Sequence, residues 1–272
     1  MAGYVPGSAT AAQEAAIKAT TSTQGAVSVG DAANGQFRQI TGVAAGSADS
    51  DNRLSLAQNA MGGNANITVN GTGWQSPTAS AVQFADTTSA GTATIANQGG
   101  AVYFQQNASA GGATITNGAD SLLNFLGEAT AGSAKIDNAK GGTVYFADDS
   151  AGAGASIANA AGGVVDVSGS TSKTGLELGS LSGAGGVVLG ATQLTLGGLN
   201  AGDAISGTVS DTGSVFAQPG SGTGGSVVKV GAGTLSLSGA NTYTGGTTVA
   251  GGTLAVNNTS GSATGTGAVQ VQ

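Results

Sequence analysis

Val102-Tyr-Phe104-Gln-Gln-Asn-Ala-Ser109-Ala-Gly-Gly-Ala113-Thr-Ile115-Thr-Asn117 is one copy of a pattern that the chain writes four times between residues 82 and 168. Phe84, Phe104, Phe125 and Phe146 stand 20, 21 and 21 residues apart, each two places after an apolar partner, Val82, Val102, Leu123 and Val144. Eleven residues after each Phe comes Ile95, Ile115, Ile136 or Ile157, with Ala two places before it and Asn97, Asn117, Asn138 or Asn159 two places after it. A fifth, fading copy sets Val165 and Val167 where the Val and Phe belong.

Apolar-x-apolar spacing is the period of a strand, so Val-x-Phe and Ala-x-Ile each predict a short strand with one face turned inward. Between them lie Ser-Ala-Gly or Thr-Ala-Gly at 89, 109 and 130, and Gly-Gly pairs open at 99, 141 and 162; glycine accepts the positive φ of sharp corners. A unit of about 21 residues cannot bury its own apolar face, so units of this kind stack. Stacking puts Phe over Phe and Ile over Ile at about 4.8 Å, and lets the Asn side chains exchange amide hydrogen bonds along the column. The expected fold is all-β, a right-handed parallel β-helix. Nine or ten rungs from residue 64 onward would give a rod about 45 Å long.

Composition agrees. The 272 residues include 51 Gly, only 3 Pro, 8% charged residues and 39% hydrophobic ones, so the apolar fraction and its periodicity argue for folding rather than a low-complexity tract. With 7 Lys+Arg against 14 Asp+Glu the net charge is −7, and the basic residues are scattered, which argues against nucleic acid as a partner. The chain has no Cys and no His, so Ser-His-Asp, Cys-His and imidazole or thiolate metal sites cannot be assembled from it. No stretch approaches 18 consecutive apolar residues, and no basic region precedes a hydrophobic one at the N-terminus, so the chain reads as a mature or excised piece of something larger. Its apolar runs also lack the 9- to 11-residue lipid-facing strands of an outer-membrane barrel.

Four regions follow in order. Residues 1–25 form a helical cap or tail, because Thr10-Ala-Ala-Gln13 has capping-box spacing and opens a run rich in helix formers. Residues 26–61 form a separate segment, 62–168 carry the 21-residue repeats, and 169–272 continue as an irregular β-helix. That last region keeps apolar pairs such as Leu176/Leu178, Val187/Leu189, Leu194/Leu196, Val228/Val230, Leu235/Leu237, Leu254/Val256 and Val269/Val271. Trp74, the only Trp, lies in a Gly/Ser/Thr loop where it would either close the exposed end of the first rung or offer a sugar-stacking face.

Three stretches carry resemblances. Ala26-Val-Ser-Val-Gly, Arg38-Gln-Ile-Thr-Gly-Val-Ala-Ala-Gly and Arg53-Leu-Ser-Leu-Ala-Gln resemble the neck of trimeric autotransporter adhesins, with Gly42 where that pattern has Asn. In that family the neck joins a β-solenoid head to a coiled-coil stalk, so the resemblance implies a trimer through this segment. The Ser-Ala-Gly-x-Ala-x-Ile-x-Asn runs resemble the passengers of monomeric autotransporters. Gly231-Ala-Gly233-Thr-Leu235-Ser-Leu237-Ser-Gly239-Ala-Asn241-Thr-Tyr243-Thr-Gly245-Gly-Thr247, followed by Gly252-Thr-Leu254, resembles the passenger-associated transport repeat. Its Leu residues are expected to point inward, its Gly residues to turn corners, and Asn241 and Tyr243 to sit at a corner where an amide meets backbone groups.

The resemblances imply a non-catalytic, surface-exposed structural or adhesive stalk of a Gram-negative bacterium, on the cell surface or secreted. Its partners would be a host-cell or matrix glycan or protein surface, and an outer-membrane β-barrel translocator that this chain does not contain. The alternative is a polysaccharide-active β-helix enzyme, a lyase or glycosidase, since architecture alone does not separate the two. Such an enzyme needs acid and base carboxylates in a cleft. Asp86, Gln106 and Asp148 fall in one column of the repeat, and Asn107, Glu128 and Asp149 in the next. Stacked carboxylates repel unless a cation lies between them, so Glu128, Asp148 and Asp149 are candidate Ca²⁺ ligands, against a plain reading as solvated surface. No catalytic residue and no other cofactor is expected.

Overall fold

The computed structural model describes residues 27–28, 40–43, 53–56, 63–76, 79–216 and 222–272. The helix expected within residues 1–25 lies outside these. Every strand pairing among the described residues is parallel, and as far as Gln193–Leu196 the strands alternate between two sheets in chain order, giving a parallel β-solenoid of about nine turns. One sheet has 9 strands and runs from Val27–Ser28 through Arg53–Leu56, Ala81–Phe84, Ala101–Phe104, Leu122–Phe125, Thr143–Asp148, Val164–Ser170 and Gly186–Val188 to Val209–Ser210. The other has 14 strands and takes up all the rest, from Ile40–Val43 to Val269–Val271, including the five that follow Val209–Ser210. A thin third line, the bridges Ser89 to Ser109 to Thr130 to Ala151, closes the cross-section at the Ser-Ala-Gly corner.

Strands of the neck-like segment join these same sheets. Leu54 pairs with Val82, and Ile40 with Ile67, so the parallel stacking begins before the 21-residue repeat does. Within the repeat the register is in phase, Val82 with Val102 and Leu123 with Val144, Ile95 with Ile115 and Ile136 with Ile157. A column this narrow suits small residues, and Ala90, Ala110, Ala131, Ala93, Ala113, Ala134 and Ala155 are fully buried beside the Phe and Ile.

Past the repeats the second sheet forks. The eight-residue strand Leu176–Gly183 pairs at its start with Gln193–Leu196 and at its end with Asp203–Ile205. Two strand columns then proceed side by side to Thr247–Val249 and Val269–Val271 on one, and to Thr234–Leu237 and Thr253–Val256 on the other.

Candidate functional site

The four Phe rings lie over one another with centroids 4.6, 5.1 and 4.7 Å apart and planes within 11° of parallel, a spacing set by the strand-to-strand distance. All four are fully buried. Beside them runs an amide ladder. Asn97 Nδ2 donates to Asn117 Oδ1, Asn117 Nδ2 to Asn138 Oδ1, and Asn138 Nδ2 to Asn159 Oδ1, at 2.8 to 2.9 Å. The same nitrogens donate to the carbonyls of Leu122, Thr143 and Val164, and Asn159 Nδ2 to that of Gly186, so each amide also ties the second sheet to a first-sheet strand of the next rung. Asn97 Oδ1 has no donor, because the residue below it in register is Val69. The first glycine of each Gly-Gly pair turns the corner at φ of 79° or 80°, and the ladder limits the second: a Cβ on Gly142 would stand 2.6 Å from Asn138 Oδ1, and one on Gly163 2.7 Å from Asn159 Oδ1.

In the segment resembling the transport repeat, Gly231 and Gly252 adopt positive φ, 72° and 70°. Gly233, Gly239 and Gly245 do not, and are needed instead for close approach: a Cβ would meet the carbonyl oxygen of Ala201, Gly207 or Gly224 at 2.1 to 2.2 Å. Leu235 and Leu237 are buried. Leu254 is only partly buried and Val256 is 52% exposed, because their strand pairs on one side only, with Thr234–Leu237. Asn241 links three rungs. Its Oδ1 accepts from Val209 N–H at 2.7 Å, and its Nδ2 donates to the Ala263 carbonyl. Tyr243, fully buried, places its hydroxyl 2.6 Å from Thr247 Oγ1, which in turn donates to the Thr264 carbonyl. Burial pushes the Tyr243 hydroxyl above the ordinary tyrosine range, against the opposing effect of its hydrogen bond with Thr247.

The inward pair here is Val227 and Lys229, not Val228 and Val230. Register decides it, since Val227 lies against Leu194 and Lys229 against Leu196. Lys229 is 1% exposed, and its ammonium donates to the carbonyls of Val230, Gly231 and Gly251. Burial lowers its pKa, partly offset by the attraction of Asp203. Only the phase inherited from Leu194 and Leu196 could have signalled an inward lysine. Sequence reasoning also missed Asp211. Its Oδ2 accepts from Thr244 Oγ1 at 2.7 Å, Gly224 N–H at 2.9 Å and Thr244 N–H at 3.1 Å, which joins three loops. Burial pushes the Asp211 carboxyl up, but these hydrogen bonds outweigh it and hold the carboxyl below its ordinary range.

The acidic columns are corner residues. Asp86, Gln106, Gly127 and Asp148 occupy the same left-handed position in successive rungs, with φ between 56° and 68°. Asp148 Oδ2 accepts from Gly127 N–H at 2.9 Å, Glu128 Oε2 from Asn107 Nδ2 at 2.8 Å, and Asp149 Oδ1 from Thr171 Oγ1 at 3.3 Å. Each carboxylate therefore has its own partner, and among the described residues no group of three or more His, Cys, Asp or Glu is arranged to hold a metal ion.

Trp74 closes no rung end. It lies over the outside of the first sheet, its ring 5.3 Å from Phe216, whose ring stacks on Tyr145 at 4.1 Å. With Tyr103 and Leu126 these rings pack on Ala81, Ala101, Leu122 and Ala147, a second apolar cluster outside the main column. Ser214 Oγ donates to buried Asp166 Oδ2, which pins the loop that carries Phe216. Desolvation, and then the charges of Asp166 and Asp148, push the Tyr145 hydroxyl above its ordinary range.

Residues 227–256 match the family model of the passenger-associated transport repeat. The chain is also 49% identical, over an 86-residue alignment, to the trimeric autotransporter adhesin AtaA of Acinetobacter sp. strain Tol 5. That alignment takes in 26% of this chain and 2% of the relative, so the chain spans a small fraction of the adhesin it matches. No solved structure gives a significant match. With the stacked parallel fold, these two matches make the chain similar to autotransporter passengers, through a transport repeat, and to a trimeric autotransporter adhesin.

Proposed function

We propose that this chain is a non-catalytic segment of an autotransporter passenger, exported across the outer membrane of a Gram-negative bacterium and exposed on the cell surface or released from it. It acts by being long, stiff and adhesive. The observation that carries the reading is the parallel stack into which the transport repeat is built as two consecutive turns, in the same sheet as the repeats before it. The outward rows of the second sheet supply the contact surface: Thr94, Thr114 and Lys135 stand in one row and Thr116 and Asp137 in the next, suited to weak, repeated contacts with glycans or matrix. An outer-membrane barrel, supplied outside this stretch, is the export partner, and trimerisation through residues 26–61 fits the adhesin similarity.

The test sets binding of the purified chain to host cells and matrix beside a screen of polysaccharide and protein substrates. Binding without turnover is the expected result. Turnover that disappears in Asp148→Asn or Glu128→Gln would replace the stalk with an enzyme.

A further inference from the structure

We propose that the outer face of the first sheet is a binding platform for a neutral saccharide, centred on Trp74, Tyr103 and Asn124. This names a ligand class and a site for the adhesive reading above, and rests on it. Gln83, Tyr103, Asn124, Tyr145 and Asp166 stand in register as one column on the outside of five successive strands. Asn124 lies between two tyrosines. It alternates with the inward Leu123 and Phe125, so its amide faces outward, toward the cluster that holds Trp74 and Phe216.

Asn124 is 6% exposed, and its Oδ1 has no hydrogen-bond donor. Burying an amide oxygen without a donor is unfavourable, and the other such amide oxygen, Asn97 Oδ1, sits inside the column where no ligand reaches it. Asn124 sits differently. Tyr103, beside it in the adjoining rung, and Leu126, two residues on, are only half-buried, so a turn of either side chain admits a hydroxyl donor. Next to Tyr103, Gln83 Nε2 donates to Gln105 Oε1 at 2.6 Å, a bond that uses one of the pair's two amide oxygens and one of its four amide N–H groups and leaves the others for further partners. Half-buried indole and phenol faces beside amide donors and acceptors suit the two sides of a sugar ring: its C–H face stacks on an aromatic ring, and its hydroxyls both give and take hydrogen bonds. Charge decides the kind of sugar. The chain carries −7, and Asp166 and Asp148 act on Tyr145 in this same region, which repels uronic and sialic acids and selects neutral sugars.

Trp74 is the only tryptophan, so its fluorescence reports on the platform directly. The purified chain is titrated with cellotetraose, chitotetraose and maltotetraose, and with tetragalacturonate as the charged comparator. At least one neutral probe is expected to give a saturable change, with tetragalacturonate giving none. Asn124→Ala is expected to weaken binding about tenfold, the size of one hydrogen bond, while leaving the melting temperature unchanged or higher because its Oδ1 has no donor to lose. Tyr103→Ala weakens binding as well. A flat titration with all three neutral probes, tighter binding of the acidic one, or unchanged affinity in Asn124→Ala overturns the platform. The same variants in the cell and matrix assay separate the two readings: full adhesion by both sinks the platform alone, whereas a wild-type chain that adheres to nothing sinks both.

Discussion

Asn117 and Asn138 are joined by a hydrogen bond of 2.8 Å from Nδ2 to Oδ1, and each also donates to a backbone carbonyl of the facing sheet. The ladder is therefore a cross-brace as well as a stack. Asn117→Ala removes the bonds donated to Asn138 Oδ1 and to the carbonyls of Thr143 and Ser121 and strips Asn97 Nδ2 of one acceptor, and it is expected to cost about 2 to 3 kcal/mol. Asn97→Ala should cost less, since its Oδ1 already lacks a donor. Thermal unfolding of the two variants checks the order, and equal losses would mean that the ladder has no direction.

Gly142 and Gly186 give a paired test of why glycine flanks the ladder. A Cβ at Gly142 meets Asn138 Oδ1 at 2.6 Å and the carbonyl oxygens of Asn117 and Gly118 at 2.7 and 2.9 Å, whereas a Cβ at Gly186 meets nothing within 4 Å. Neither has positive φ, so contact alone separates them. Gly142→Ala is expected to lose about 2 kcal/mol or more, and Gly186→Ala to change stability by less than about 0.5 kcal/mol. Denaturant midpoints with unchanged slopes would report this cleanly.

Phe125 has a ring above and a ring below. Emptying an aromatic core site costs about 3 to 5 kcal/mol, and Phe125→Ala leaves Phe104 and Phe146 each without one stacking face. Because rungs contact only their neighbours, the damage stays local. Limited proteolysis should map new cleavage to the rungs near residue 125, with the transport-repeat end still protected. Loss of protection along the whole chain would show that the solenoid unfolds as one unit.

Acid should loosen the loops held by Asp211. Its carboxyl is held below the ordinary range in the folded state, so its stabilisation is fully present above the unfolded value near 3.8 and is lost as pH falls through the folded value. Asp211→Asn keeps the shape and removes the charge. Its melting temperature should lie below that of the parent at pH 6, and the two should converge as pH drops below about 3.8. A constant gap down to pH 2 would mean that the carboxylate's charge plays no part.

How far the sequence could be read depended on how local each signal was. In the repeat, Phe, Ile, Ala, Gly and Asn each have one role at one spacing, and the register that joins Ile115 to Ile136 is the 21-residue period itself. The place of Trp74 outside the first sheet is not legible from spacing, because its partner Phe216 belongs to a distant loop and no period links the two. Hydrophobic patterning favours Val228/Val230 over Val227/Lys229, because patterning cannot register carbonyls converging on an ammonium. Sequence presents the Gly residues of the transport repeat as corners, which Gly231 and Gly252 are, whereas Gly233, Gly239 and Gly245 are required by the close backbone of another rung, a relation visible only once the rungs are stacked.

Lys229 tests the balance of forces at the transport repeat. The ammonium occupies the space left by two glycines, since a Cβ on Gly252 would stand 2.8 Å from Nζ and one on Gly197 3.2 Å. Its stem fills the inward position where other rungs place Leu or Val, and its head gathers three carbonyls from two turns. Desolvating a cation costs several kcal/mol, while each charge-assisted bond returns about 1.5 to 3 kcal/mol, so the net contribution of the charge is small. Removing the donors is a different matter. Lys229→Met keeps the stem but leaves the carbonyls of Val230, Gly231 and Gly251 to whatever water can reach them, an expected loss of about 2 kcal/mol at neutral pH. Burial lowers the folded-state pKa, so the unfolded chain holds the proton more tightly, and parent stability should rise with pH between the lowered folded value and the ordinary 10.5. The gap between parent and Lys229→Met is therefore expected to widen on going from pH 7 to about 10, measured as the difference of the two denaturant midpoints so that the buried tyrosines cancel. A gap that narrows over that range would show that the fold binds the ammonium better than water does, with the three carbonyls and Asp203 outweighing burial.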